Sequence, residues 1–125
     1  MEKSSHVVVL IHGGQVGAWV WDSVRSHLDF PSILVDLPAH GNRSGQLKGL
    51  RTAECVETVF REVPPNGRVV LVGHSMGGAI ALALAKQLAD RVAHLVLIAG
   101  VVPVAGASMV SSFPFRMRLI SDVFR

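Results

Sequence analysis

A single cysteine, Cys55, stands among the 125 residues, so no intrachain disulfide can form and the fold must rest on packing. Its surroundings suit a small apolar residue on a helix. A nucleophilic thiol would need an activating base, and nothing local supplies one. Charged residues make up only 17% of the chain and aromatics 6%, with no tyrosine. The basic residues Arg116, Arg118 and Arg125 gather near the end without forming a stripe interleaved with aromatics, which argues against a nucleic-acid partner. Half the residues are hydrophobic, which excludes a disordered chain and allows one domain with one core. The apolar run after Met1 ends in His12-Gly13-Gly14 with no small-residue cleavage site, so no secretory signal is read and a cytoplasmic location is expected.

Two stretches, 69–85 and 92–110, contain no Lys, Arg, Asp or Glu and approach the length of a membrane span. Both are broken by glycines, and the second holds Pro103. Strands buried on both faces of a parallel sheet produce the same signal, so no membrane span is expected.

What is present is a repeated theme: a short β-branched run, a turn-rich segment, then a helical pattern. The runs are His6–Ile11, Ser32–Asp36, Arg68–Val72 and Ala93–Ile98. Between them, Ala18–Leu28 predicts a helix with Trp21, Val24 and Leu28 on one face. Thr52 is the expected N-cap of a second helix, with an apolar stripe of Ala53, Val56, Phe60 and Val63 that Pro64-Pro65-Asn66-Gly67 ends. A third, Met76–Arg91, is apolar on nearly every side and belongs deep in the molecule. Alternation of this kind predicts an α/β fold: an open, mainly parallel sheet of about four strands, with helices on both faces. Phe113, Met117, Ile120 and Phe124 fall at helical spacing and predict an amphipathic element near the end.

The chemistry concentrates at Gly73-His74-Ser75-Met76-Gly77-Gly78, directly after a strand and before a helix. This is the G-x-S-x-G pattern in the setting that gives it meaning. A serine lifted clear of the sheet needs a turn so sharp that side chains two residues to either side would collide, and Gly73 and Gly77 carry none. Ser75 is the candidate nucleophile. A tetrahedral intermediate also needs fixed N–H donors for its oxyanion. Met76 N–H is one expected donor, and Gly14 N–H, from the loop after the first strand, is the other. His12 and Gly13 are expected to shape that loop, with His12 bracing it rather than acting as a base. No metal or cofactor is expected.

Together His12-Gly13-Gly14, Gly17-Ala18-Trp19-Val20-Trp21, Asp36-Leu37-Pro38-Ala39-His40-Gly41 and the Ser75 segment resemble the α/β-hydrolase superfamily. The Gly-Ala-Trp-x-Trp segment is similar to the branch holding methyl esterases and hydroxynitrile lyases. The resemblance, over about residues 6–103, implies a serine hydrolase of carboxylic esters or related acyl compounds, with a small-molecule substrate. It implies that Asp36 supports the loop after its strand and is not the triad acid. It further implies that residues 1–103 form the N-terminal half of the core, with the four strands the third to sixth of the family, and that 104–125 begin a cap. In family order the acid and histidine follow the nucleophile. Here His6, His12, His27, His40 and His74 all precede Ser75, His94 starts a strand, and Asp122 is the only acid after Asp90. The later strands and the base are therefore expected to be missing from this chain, leaving an apolar sheet edge open to self-association.

Two alternatives remain at this level. One is a catalytically inactive truncated or pseudo-hydrolase. The other is a dinucleotide-binding module built on Gly13, Gly14 and Gly17, with Asp36 on a ribose, although His12 stands where that fingerprint requires glycine.

Overall fold

A computed structural model describes residues 6–46 and 48–100. Four strands, β1 (His6–Ile11), β2 (Ser32–Val35), β3 (Arg68–His74) and β4 (Val92–Ile98), form one sheet in the order β2-β1-β3-β4. Every pairing is parallel. The helices are α1 (Asp22–Ser26), α2 (Thr52–Phe60) and α3 (Met76–Leu88), with 3₁₀ turns at Ala18–Trp21 and Ala89–Arg91. The expected α/β architecture is the one observed. The cap expected at 104–125, including the Phe113–Phe124 stripe and Asp122, lies outside the described residues.

The two faces of the sheet are covered unequally. On one, α2 and α3 bury Val56, Val59, Ile80, Ala81, Leu84 and Leu88 against Val9, Ile11, Val35, Val69 and Leu71. Each large apolar side chain taken from water here contributes about 1.5–3 kcal/mol. On the other, Trp21 packs with Val8, Leu10 and Val72, supported by Val20, Leu28, Phe30, Leu34 and Val70. The charge-free stretch at 69–85 resolves into β3 and most of α3, both packed in this core. Among the described residues no helix is long and apolar enough to cross a membrane.

Three helical details depart from the sequence expectation. Ala18–Trp21 is 3₁₀ and the α-turn behind it ends at Ser26. A 3₁₀ turn advances about 120° per residue against 100° for an α-helix, so a stripe spaced for one regular helix slips. Trp21 stays buried while Val24 is 43% exposed. In α2 the buried face is Cys55, Val56 and Val59, whereas Phe60 is 40% exposed. Thr52 is the first helical residue rather than the cap; Arg51 holds that position in extended geometry, with no side-chain cap bond.

Register sets the functional edge. Ile11 lies opposite Val35 of β2 and Gly73 of β3, and His74 lies opposite Ile98 of β4. The loops that leave β1, β2 and β3 therefore emerge side by side at the carboxyl edge, where open parallel sheets build their sites.

Candidate active site

Ser75 joins β3 to α3 with φ 54° and ψ −120°. A non-glycine residue there is strained, and the surroundings must hold it. They do so through backbone bonds: Ser75 N–H donates to the Ile98 carbonyl at 3.0 Å, and the Ser75 carbonyl accepts Gly78 N–H at 2.9 Å. The two flanking glycines are required by space. A Cβ on Gly73 would lie 2.4 Å from the Gly77 carbonyl oxygen, and one on Gly77 would lie 2.4 Å from that of Ile11 and 2.6 Å from that of His12. The first turn of α3 thus sits directly on the exit of β1, with the positive end of the helix dipole at Ser75.

Gly13 packs behind the serine; a Cβ there would stand 3.1 Å from Ser75 Cβ. Gly14 is exposed, and a Cβ on it would meet only Met76 Sδ, at 3.8 Å. The two expected oxyanion donors, Gly14 and Met76, therefore come from segments that face one another beside Ser75.

His12 is fully buried. Its Nε2 accepts Leu37 N–H at 3.0 Å, which fixes the proton on Nδ1, and Nδ1 donates to the Gly13 carbonyl at 2.6 Å. Burial pushes its pKa below the ordinary value of 6.5. With both nitrogens committed, the ring braces the loop and has no lone pair for Ser75. Asp36 likewise serves its surroundings. Its Oδ1 accepts Ala18 N–H at 2.8 Å and its Oδ2 accepts Asn42 N–H at 3.1 Å, the former being the main reason its pKa is lowered. A carboxylate so engaged is poorly placed to hold a ribose.

The His74 ring stands edge-on to Trp21, with centroids 6.4 Å apart. The sequence places Trp21 on one face of a helix with Val24 and Leu28 and gives no sign that it neighbours the elbow. Its buried indole N–H has no hydrogen-bond partner among the described residues. His94 pairs with Val70 at the far end of β4, as expected, away from the elbow. No group of three or more potential metal-ligating side chains occurs among the described residues. Two shallow depressions lie along Leu34, Asp36, Arg43 and Glu62 and along Pro38, Ser44 and Thr58, neither including Ser75.

The sequence profile of the alpha/beta hydrolase family matches residues 8–124. The chain belongs to this family. Among curated relatives of this chain, an esterase of Mycobacterium tuberculosis is 38% identical over 95 residues, covering 73% of this chain and 32% of its own length. Polyneuridine aldehyde esterase of Rauvolfia serpentina is 32% identical over 122 residues, covering 91% of this chain and 45% of its own. The crystal structure of polyneuridine aldehyde esterase superposes with a TM-score of 0.70 at 27% identity, over 86% of this chain and 45% of that one. An extracellular alpha/beta-hydrolase from a Paenibacillus species gives 0.78 over 94% of this chain and 50% of that one; at 22% identity it speaks for the fold. The chain spans about a third to a half of the length of these curated relatives.

Proposed function

We propose that this chain carries the nucleophile half of an esterase site, in which Ser75 Oγ attacks the carbonyl carbon of a small-molecule carboxylic ester. The observation that carries the proposal is the backbone of Ser75, held at φ 54° between β3 and α3. Strain of this kind persists only where the surroundings enforce it, and here two glycines and two backbone bonds do. Attack on the carbonyl forms a tetrahedral oxyanion, for which Gly14 and Met76 N–H are the donors. Collapse expels the alcohol and leaves an acyl-serine, which water then hydrolyses. A methyl ester is the favoured substrate class, because matching relatives bear the names pimeloyl-[acyl-carrier protein] methyl ester esterase and methylesterase 9.

Attack also needs a base to take the serine proton. His12 is committed at both nitrogens and His94 lies at the far end of β4, so neither serves as the base in this proposal. Exogenous imidazole can stand in for it. The test is labelling by a fluorophosphonate, with the modified peptide located by mass spectrometry. Imidazole should accelerate labelling at Ser75, and Ser75→Ala should abolish it. Labelling spread over other serines, indifferent to both changes, would overturn the proposal.

A further inference from the structure

We propose that Asp36 is a positioning residue for the loop bearing the Gly14 donor, acting as one of two clamps that consecutive residues of the β2 exit place on its two ends. This deepens the esterase proposal and rests on it for its catalytic consequence. The loop runs from His12 to Ala18. At its start, Leu37 N–H donates to His12 Nε2 at 3.0 Å; at its end, Ala18 N–H donates to Asp36 Oδ1 at 2.8 Å. Past Gly13, whose carbonyl accepts from His12 Nδ1 at 2.6 Å, the tip of the loop is open to solvent. Gly14 and Gln15 are exposed, and Gln15 stands at φ 65°. Gly14 N–H shares its planar peptide with the Gly13 carbonyl, so its position depends on the His12 end directly and on the Asp36 end through the return of the loop at Ala18.

The Asp36 end is built for the purpose. A Cβ on Gly17 would come within 3.0 Å of Asp36 Oδ1 and 2.9 Å of Gly41 Cα, so the loop passes the carboxylate at contact distance. The second oxygen accepts Asn42 N–H at 3.1 Å, and Arg43 Nε donates to the Asp36 carbonyl. One carboxylate thereby ties the β1 exit loop to the β2 exit loop. Because Ile11 and Val35 are register partners, the tie fixes the loop relative to the sheet that carries Ser75.

Two full-chain variants test the clamp. Asp36→Asn keeps the shape but replaces a charged acceptor with a neutral one. Ala18→Pro deletes the donor at the first position of the 3₁₀ turn, where proline is tolerated, after a Gly17 already extended at φ −142° and ψ −175°. In the parent, backbone order parameters at Gly14 and Gln15 should be near 0.85; in each variant they should fall below about 0.6. The maximal rate of imidazole-supported fluorophosphonate labelling of Ser75 should fall about tenfold, with half-saturation unchanged, as expected from losing a charge-assisted hydrogen bond. Combining the two substitutions should add little to Ala18→Pro alone, because both act on the same bond.

Order parameters that stay at the parental value in both variants, or a loosened loop with an unchanged maximal rate, would overturn the positioning role. If the parent shows no Ser75 labelling, the esterase proposal fails instead, and the order parameters decide the clamp by themselves.

Discussion

Leu37 donates its N–H to Nε2 of His12 across 25 positions of sequence, at 3.0 Å, inside a site from which water is excluded. The bond requires a neutral imidazole, since a protonated Nε2 has no lone pair to offer. The ring of His40 lies 5.4 Å away by centroid, so a charge on His12 would also face a second histidine.

This arrangement predicts acid sensitivity. Burial lowers the folded pKa of His12 below 6.5, so at acid pH the unfolded chain takes up a proton that the folded chain refuses. The stabilisation is fully present above the unfolded value and is lost as the pH falls through 6.5 toward the lowered folded one. Urea unfolding should show stability declining over that window. His12→Asn should cost about 1–3 kcal/mol at pH 7.5 by disturbing a buried network, and should flatten the acid slope. An acid slope identical to the parent's would count against this role.

The glycines of the site should divide into two classes. Gly77→Ala places a Cβ 2.4 Å from the Ile11 carbonyl oxygen, a backbone atom that cannot swing away, and should destabilise by roughly 3 kcal/mol or more. Gly14→Ala meets only the flexible Met76 Sδ at 3.8 Å and should change stability by no more than about 0.5 kcal/mol. Thermal melts of the two proteins side by side check this, and equal losses would contradict it.

Much of this architecture is legible in the sequence because it depends on neighbouring residues. Val7–Ile11 and Val69–Val72 are β-branched runs between turn signals, and Gly73 and Gly77 flank Ser75 at the spacing a tight elbow needs. What is not legible depends on three-dimensional register. Nothing near Ala18 announces a 3₁₀ turn, so the stripe through Val24 was misplaced. Phe60 is the largest apolar residue of α2 and the natural choice for its core, yet the smaller Cys55 and Val59 face the sheet. The His12–Leu37 and Asp36–Ala18 bonds join residues 25 and 18 positions apart and become visible only once β1 and β2 are paired.

Cys55 offers a local probe of integrity. It is 2% exposed, and burial pushes its thiol up to about 11, so only about one molecule in a thousand carries the thiolate at pH 8. Reaction with a thiol-specific disulfide reagent should be slow in the native protein and rapid in urea. Fast native reaction would show that α2 does not hold its packing against the sheet.

The β4 edge should promote self-association. Leu95, Val96, Leu97 and Ile98 are 36–46% exposed, and no charge or proline interrupts the run. Natural sheets usually shield such edges with one or the other. Light scattering after size exclusion should detect oligomers that grow with concentration, and Val96→Lys should shift them toward monomer. A parent that stays monomeric at high concentration would remove the basis for this expectation.

The 125-residue chain should turn over activated esters slowly despite its elbow. In the proposed site the strained serine, the N-terminus of α3 and the Gly14 loop supply geometry and electrostatic stabilisation, which are one part of triad catalysis. They do not remove the proton from Ser75. In serine hydrolases stripped of triad members, the remaining oxyanion hole and binding retain about 10³–10⁴-fold over water, orders of magnitude below the intact enzyme. Hydrolysis of p-nitrophenyl acetate should therefore be weak and reduced further by Ser75→Ala. It should lack the sigmoid near neutral pH that a histidine base produces. His12 cannot supply that sigmoid while its nitrogens stay bonded to Leu37 and Gly13. A fast, Ser75-dependent rate with a sigmoidal pH profile would mean that a histidine within these residues reaches the serine after all. His74, half-buried beside Trp21 and adjacent to Ser75 in sequence, would be the first position to substitute.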